Sequence, residues 1–321
     1  MTMSHKISRR MFGGGVATSA FALGSGLGMT KALAASNEPR IDGHLHFWKP
    51  SNPFHGWPGE NLTSIYRDIL PVDAEPLLSN SGMDGVVVVE AAMNLEETQW
   101  LLELAAANPM IKKVSGWVAL DDTASVDHLA KFAENPLFGG TRSRFLAHEN
   151  AWIDNEIKPE VIEAFIAHDL TLDVLYKSEN WPSVEAFLTK YPDLKVVLNH
   201  GGRPITKNGV DHETGLAGWS GQVDAWAAHP NTFMKFSGFI SSAASEDATY
   251  ETFKPYFDKL WDAFGADRLI YATDWPAVSL LRGDTLEVWT SICWTYLDDI
   301  DASEAERDAF LGGTAVRAYN I

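Results

Sequence analysis

The feature that most constrains the fold of this chain is a regular alternation of apolar and amphipathic stretches after residue 40. Runs such as GVVVVEA at 85–91 are continuous and β-branched, as in strands buried on both faces, and helical periodicity follows most of them. The predicted strands cover 40–47, 85–91, 111–120, 138–145, 170–176, 194–202, 231–238 and 268–276. Eight strand–helix units in about 285 residues predict an α/β fold, a closed (β/α)8 barrel.

The alternative architecture is a doubly wound open sheet. Such a sheet is expected to carry a glycine-rich phosphate loop after its first strand, and IDGHLHFWKP is not such a loop. The chain after residue 34 shows no linker-like shift in composition and no repeat at a fixed period. We therefore expect one barrel domain over 35–321.

The first 34 residues have the pattern of a processing signal. A basic stretch, Ser8-Arg9-Arg10-Met11-Phe12, precedes a weakly apolar Gly/Ala-rich run and a small-residue cleavage pattern. The arginine pair resembles a bacterial twin-arginine export signal. We expect residues 1–34 to be removed, the export machinery to be a partner, and the mature protein to be periplasmic or exported. A disordered or membrane-anchored tail is the alternative, although the apolar run is too short and glycine-rich for a stable anchor.

Charge and cysteine content exclude some functions. The 321 residues carry a formal net charge of −18, so nucleic acid is not an expected partner, since binding it needs a basic face. A small anionic ligand stays possible because a few local arginines override the global field. The single cysteine, Cys293, cannot form a disulfide within the chain, and we expect it to be a small buried apolar residue.

Chemically versatile side chains occur where the predicted strands end, which in a barrel is the catalytic face. His44 and His46 follow the first strand and share one face, because alternate residues of a strand point the same way. His200 follows the sixth strand and Asp274 the eighth. A lone histidine is more often structural than a ligand, but this convergence favours a site. Other strand ends supply Glu90, Arg142, Arg144, Tyr176, Lys177, Arg203 and Lys235.

These motifs, taken in order, resemble a known family. IDGHLHFW, KVVLNHGGRP, FMKFSG, RLIYATDWP and FLGGTAVRAYNI are similar to landmarks of the amidohydrolase superfamily. Within it, the chain resembles the amidohydrolase-2 branch, which includes L-rhamnono- and L-fucono-lactonases and 2-pyrone-4,6-dicarboxylate lactonase. The resemblance spans roughly residues 40–321. It implies a hydrolase that opens the lactone ring of a sugar acid or a related carboxylic acid.

The resemblance leaves the metal content open. Binuclear members of the superfamily use a carbamylated lysine after strand four and a histidine after strand five, where this chain has Arg142/Arg144 and Tyr176/Lys177. Two-metal catalysis is therefore not expected. One divalent ion, zinc by preference, would be held by His44, His46 and Asp274, with His200 or Glu90 as further ligands. Metal-independent catalysis is the equal alternative, since some lactonases of the branch work without metal.

For lactone hydrolysis, Asp274 is the predicted general base that takes a proton from water. His44, His46 and His200, or a metal that they help to bind, would polarise the carbonyl. The predicted substrate-binding residues are Arg142, Arg144, Arg203, Tyr176, Trp48 and Trp275. Salt bridges at the barrel rim are the alternative for the arginines, and core packing is the alternative for the tryptophans. The 48–73 stretch is expected to cover the site and to contribute Trp57, Tyr66 or Arg67.

Three further functions stay open at this point. A non-oxidative decarboxylase of an aromatic or unsaturated acid would use similar histidine and aspartate positions with zinc. A lactone isomerase would move the acyl bond without net hydrolysis. A non-catalytic periplasmic binding protein is disfavoured, because a binder has little use for three histidines and an aspartate in one pocket. The sequence identifies neither the lactone nor the oligomeric state.

Overall fold

A computed structural model describes residues 38–204, 215–242, 248–280 and 285–321, so the predicted export signal at 1–34 lies outside the described residues. Within these residues, eight parallel strands form one sheet in sequence order. The strands are Ile41–Leu45 (β1), Gly85–Val89 (β2), Ile111–Gly116 (β3), Phe138–Arg144 (β4), Thr171–Leu175 (β5), Lys195–Leu198 (β6), Thr232–Phe236 (β7) and Leu269–Tyr271 (β8).

The sheet closes on itself between β8 and β1. Leu45 and Trp275 form a parallel bridge, the Asp274 amide donates to the carbonyl of His44 at 2.9 Å, and the His46 amide donates to the carbonyl of Trp275 at 2.9 Å. The predicted (β/α)8 barrel is therefore confirmed. The closure also places the backbone of His44 and His46 directly beside that of Asp274.

Helices connect the strands. Their bounds are Pro71–Ser81 (α1), Leu95–Ala107 (α2), Ser125–Ala133 (α3), Asn150–Asn155 (α4), Pro159–Ala167 (α5), Trp181–Lys190 (α6), Leu216–Ala227 (α7), Phe239–Ser242 (α8), Tyr250–Phe264 (α9), Thr285–Asp299 (α10), Glu304–Asp308 (α11) and Thr314–Tyr319 (α12). A π-helical turn, Ala309–Gly313, joins the last two. No helix of the described residues has both the length and the apolar character needed to cross a bilayer.

Several strands end earlier than their apolar runs predict. The sixth is predicted over 194–202 but stops at Leu198, because His200–Arg203 turn through positive φ angles of 58°, 59°, 74° and 53°. Gly201 and Gly202 suit this turn, since a Cβ there would lie 2.5 Å from the rings of Phe239 and Trp226 respectively. The apolar run thus predicts the strand, while its last residues belong to a turn at the carboxyl end of β6.

The buried core has two parts. The larger cluster packs the helices on the outside of the barrel, and it includes Cys293, buried as predicted. The smaller cluster joins Ile41, Val87, Val197 and Ile270 of the strands to Ala315, Ala318 and Tyr319 of α12. The C-terminal helix therefore packs against strand residues, and Tyr319 brings a hydroxyl group into a buried environment.

Candidate active site

A cavity of about 420 Å³ lies at the carboxyl ends of the strands. Besides Trp57, six of the residues singled out from the sequence line it: His46, Arg142, Arg144, His200, Arg203 and Asp274. His44 is fully buried and is not among the lining residues. Trp57 and Ala91 form part of the same lining. Convergence of polar groups in one concave pocket is the arrangement expected of a small-molecule site.

Three histidines surround one carboxylate oxygen in this cavity. Asp274 Oδ1 lies 3.7 Å from His44 Nε2, 3.4 Å from His46 Nε2 and 3.9 Å from His200 Nε2. The Nε2 atoms of His44 and His46 are 3.0 Å apart. All four side chains are buried. The structure therefore brings together the residues that the sequence assigned to catalysis.

Hydrogen bonds behind the rings orient the histidines. His46 Nδ1 donates to the carbonyl of Val89 at 2.8 Å, so its Nε2 lone pair faces the cavity. His44 Nδ1 lies 3.1 Å from Lys235 Nζ, and an ammonium group only donates, so the ring proton of His44 belongs on Nε2. The Arg142 Nη1 contact to that Nε2 is longer, 3.4 Å. His200 Nδ1 lies 2.9 Å from Ser237 Oγ.

Burial and neighbouring cations keep two of these rings uncharged. Burial, followed by the charge of Lys235, holds the pKa of His44 well below its usual value. Burial lowers the pKa of His200 to about 3, although the Asp274 charge opposes that shift. Burial would raise the pKa of Asp274, but interactions with His200, His46 and Arg142 outweigh it and leave that pKa below the usual value. Asp274 is therefore an ionised carboxylate beside uncharged His44 and His200.

Lys235 belongs to a buried polar network that the sequence did not reveal. It forms an ion pair with Asp173, and both side chains are 0% exposed. Asp173 also accepts hydrogen bonds from Ser115 Oγ at 2.7 Å, Asn199 Nδ2 at 2.9 Å and the Tyr319 hydroxyl at 2.9 Å. The only available signal was a carboxylate inside the apolar run LTLDVLY. Through Lys235, this network contacts Nδ1 of His44.

Backbone conformation marks the same site. His200, Arg203 and Asp274 have positive φ angles of 58°, 53° and 59°, which are unusual for residues with a Cβ. Such conformations persist only where surrounding contacts impose them, and they concentrate at functional sites. The turns after β6 and β8 therefore carry three of the six non-glycine residues with positive φ in the described part of the chain.

Glu90 joins the two strand-four arginines. Its buried carboxylate accepts from Arg142 Nε at 2.7 Å, and from Arg144 Nε at 2.9 Å and Nη2 at 2.6 Å. Arg142 Nη2 also donates to the Glu90 carbonyl at 2.6 Å. The alternative of salt bridges is therefore present, and both arginines also line the cavity, where their contact with substrate stays a prediction. Glu90, predicted as an optional metal ligand, has its oxygens engaged by guanidinium groups instead.

The aromatic candidates occupy different positions. Trp48, Tyr176 and Trp275 are buried and are not among the cavity-lining residues. Trp57 from the 48–73 stretch lines the cavity, whereas Tyr66 is 39% exposed and Arg67 bonds to Asp73. Trp48 supports the lining indirectly, with ring centroids 4.9 Å from Trp57 and 6.5 Å from His46.

The donor atoms of the site fit one divalent ion. One ligand atom each from His44, His46 and Asp274 lies within 4.8 Å of the others, and all three residues are buried. Two imidazoles and a carboxylate form a typical zinc ligand set, with an open position left for water or substrate. His44 would ligate through Nε2 only after the ring proton assigned to that atom has moved, so its role as a ligand requires the other tautomer. His44, His46 and Asp274 could therefore hold a metal.

Comparisons with known proteins agree with this geometry. An L-fucono-1,5-lactonase of Burkholderia ambifaria is 35% identical over 286 residues, which cover 88% of this chain and 96% of that protein. An L-rhamnono-gamma-lactonase of Scheffersomyces stipitis is 30% identical over 142 residues, 41% of this chain and 42% of that protein. A crystal structure of an amidohydrolase from Burkholderia multivorans with bound zinc is 28% identical, has a TM-score of 0.79 and covers 88% of this chain and 99% of that chain.

The family follows from these matches and from the barrel-mouth site. A family model described as Amidohydrolase matches residues 41–321, which is the whole barrel. The histidine pair at the end of β1, the histidine after β6 and the aspartate after β8 all lie within that span. The chain belongs to the amidohydrolase family.

Proposed function

We propose that this protein hydrolyses the lactone ring of a sugar acid by attack of water on the ring carbonyl. The observation that carries the proposal is the ionised Asp274 enclosed by three histidines in the barrel-mouth cavity. The similarity to an L-fucono-1,5-lactonase and an L-rhamnono-gamma-lactonase supports sugar-acid lactones as the substrate class.

In the proposed reaction, Asp274 acts as the general base. Its carboxylate takes one proton from water while the water oxygen bonds to the carbonyl carbon. The ring C–O bond then breaks, and the departing alkoxide takes up the proton held by Asp274, which leaves a hydroxy acid. The His44 Nε2 proton is donated to the lone pair of His46 Nε2, 3.0 Å away, while the arginines that line the cavity are suited to stabilising the oxygen on which negative charge develops. A divalent ion bound by His44, His46 and Asp274 would supply Lewis-acid polarisation of that oxygen.

Charge in the cavity suits this reaction. Arg142, Arg144 and Arg203 line it, whereas the carboxylates that face them are Glu90 and Asp274. One positive charge is left in excess, which favours an oxyanion in the transition state and a carboxylate in the product. We therefore propose that Arg144 and Arg203 bind the acyl oxygens or hydroxyl groups of the substrate.

The direct test is hydrolysis of purified lactones followed with a pH indicator. We expect turnover of six-carbon deoxy-sugar 1,5-lactones, release of one proton per ring opened, and no carbon dioxide. Carbon dioxide from an aromatic acid would indicate the decarboxylase alternative, and a rearranged lactone without proton release would indicate the isomerase. Binding without any turnover would leave only the non-catalytic binder.

We propose zinc as the metal, supported by the zinc-bound relative from Burkholderia multivorans. Dialysis against a chelator, followed by metal analysis and readdition of zinc, measures the dependence. Loss and recovery of activity would establish a metal-dependent lactonase. Full activity with no detectable metal would establish the metal-independent alternative, in which the histidines act directly.

We expect the rate to be nearly independent of pH between about 5 and 8. The proposed base is an aspartate, whose ordinary pKa lies below this window, whereas a histidine base with a pKa of about 6.5 would titrate within it. The pKa of Asp274 lies below its usual value, so the carboxylate stays ionised as the pH falls through this window. His200, with a pKa of about 3, stays uncharged. A profile of kcat/KM against pH, corrected for spontaneous lactone opening, checks this. A sharp loss of rate on acidification near pH 6.5 would assign the base to a histidine.

Glu90→Gln is expected to raise KM for a sugar-acid lactone by about tenfold, the scale of one lost charged contact, with a smaller change in kcat. The glutamine carries no charge and has an NH2 group where the second carboxylate oxygen accepts from Arg144 Nη2, so the ion pairs with Arg142 and Arg144 are lost and Arg144 loses one hydrogen-bond acceptor. Steady-state kinetics measures the change, with the exposed Glu96→Gln as control. An unchanged KM would show that the arginine positions do not matter for binding.

We further propose that residues 1–34 direct export of the folded protein to the periplasm. A reporter fused to residues 1–36 is expected to reach the periplasm and to stay in the cytoplasm when Arg9 and Arg10 are both changed to Lys. Export that is insensitive to the arginines would indicate another route.

A further inference from the structure

The segment between β1 and α1 contributes Trp57 to the cavity although it contains no helix or strand. Two backbone hydrogen bonds between Trp48 and Ile69 close its base, at 3.0 and 2.9 Å. A segment of this length without regular structure needs side-chain contacts to hold a defined position. Two residues before Trp57, the side chain of His55 makes such a contact.

Glu97 is a buried carboxylate that has no part in the proposed chemistry. It lies in the first turn of α2, where Asn94 caps the helix by accepting from the Glu97 amide at 2.8 Å. Its two oxygens accept from the backbone amides of Ala91 at 2.8 Å and Ala92 at 2.7 Å. Ala91 lines the cavity, so Glu97 fixes one part of the wall directly.

The same carboxylate also reaches the segment that carries Trp57. His55 Nε2 lies 3.2 Å from Glu97 Oε1, and both side chains are 0% exposed. His55 Nδ1 lies 3.1 Å from the Lys49 carbonyl oxygen, which ties the ring to the start of its own segment. Asn94 adds a second link, donating from Nδ2 to the Phe54 carbonyl at 2.9 Å.

Trp57 is held from its other side by aromatic packing. Its ring meets Trp48 edge-on at a centroid distance of 4.9 Å, and the Trp48 indole N–H donates to the Ile65 and Arg67 carbonyls at 3.2 and 3.1 Å. The His55–Glu97 contact therefore fixes the backbone two residues before Trp57, while Trp48 limits where its ring can lie.

We infer that His55 and Glu97 are positioning residues that hold Trp57 and Ala91 together as one wall of the cavity, and that this wall selects lactones by their ring substituents. The inference rests on the proposed lactonase function. Neither Trp57 nor Ala91 has a side chain that takes up a proton or carries a charge, so we expect the wall to affect binding of the substituted ring and not the chemical step.

Glu97→Gln tests the inference, with Glu96→Gln as the matched control. The glutamine amide presents one acceptor where the carboxylate presents two, so at least one of the amides of Ala91 and Ala92 and the His55 ring loses its partner. Glu96 precedes it on the same turn and is exposed. His55→Asn is a second variant, which keeps an Nδ1-like group near Lys49 but removes the contact to Glu97.

Two lactones separate a positioning role from general loss of structure. For a hydroxylated, methyl-substituted six-carbon lactone we expect both variants to raise KM about tenfold, the scale of one misplaced wall contact, with kcat nearly unchanged. For unsubstituted δ-valerolactone we expect KM to change less than about twofold, because it lacks the groups that reach the wall. Equal losses on both lactones, or none, would overturn the inference.

A double-variant cycle tests whether the effect passes through Trp57. If it does, the double variant Glu97→Gln/Trp57→Ala is expected to have nearly the same KM for the substituted lactone as Trp57→Ala alone. If the increase in KM of the double variant is the product of the two single increases, Glu97 and Trp57 act independently.

Hydrogen exchange distinguishes failure of this inference from failure of the proposed function. Absence of lactone turnover by the wild-type protein would defeat the function. The positioning role is then read from backbone amides of 49–57 and 91–94, which are expected to exchange faster in Glu97→Gln and unchanged in Glu96→Gln. Equal exchange in the two variants would overturn the positioning role in either case.

Discussion

We expect Asp274→Asn to lower kcat for lactone hydrolysis by about a thousandfold, within the range of a lost general base, while leaving the barrel folded. The amide has nearly the same shape as the carboxylate, and the Asp274 backbone contacts to β1 do not involve the side chain. It cannot take a proton from water. Steady-state kinetics measures the fall in kcat, and the melting temperature shows whether the barrel stays folded.

Asp154→Asn is the matched control, since Asp154 lies exposed on α4 outside the cavity. Its rate is expected to equal that of the wild type. A near-wild-type rate in Asp274→Asn would remove Asp274 as the base. Zinc titration of the same variant by calorimetry adds a second readout: a weaker affinity with a residual rate would assign Asp274 to metal binding more than to proton transfer.

The barrel and the residues at the centre of the site could be predicted because both depend on patterns of residues that are close together in the sequence. Eight apolar runs separated by helical stretches indicate parallel strands, and the carboxyl ends of such strands meet on one face. The alternation in a strand places His44 and His46 on one side. His200 and Asp274 then follow from their positions just after β6 and β8.

Contacts between distant residues left no comparable signal. The Glu90–Arg142 pair spans 52 residues, His55–Glu97 spans 42 and Ser115–Asp173 spans 58. Nothing in a single sequence tells which carboxylate a given arginine or histidine meets. Aromatic residues were also difficult to place, because an apolar ring in the core and one in a cavity wall have the same local pattern; Trp57 lines the cavity and Trp48 does not.

We expect Lys235→Met to reduce the free energy of unfolding by about 3–5 kcal/mol, the usual result of removing one partner of a buried ion pair. Asp173 and Lys235 are both fully buried, so the remaining carboxylate would keep its bonds from Ser115, Asn199 and Tyr319 but no cation. A fall in melting temperature of roughly 10 °C would correspond to this loss in a chain of this size. The exposed Lys131→Met is the control and is expected to melt like the wild type.

The double variant Lys235→Met/Asp173→Asn separates the two roles of the lysine. Removal of the unpaired carboxylate is expected to recover much of the lost stability, because an uncompensated buried charge is what destabilises the single variant. Activity is expected to stay low, since His44 Nδ1 still lacks its 3.1 Å donor and the ring can move its proton from Nε2. Recovery of stability and activity together would show that Lys235 only balances charge. Recovery of stability alone would show that the buried ammonium also acts on the site through His44, whose Nδ1 it contacts.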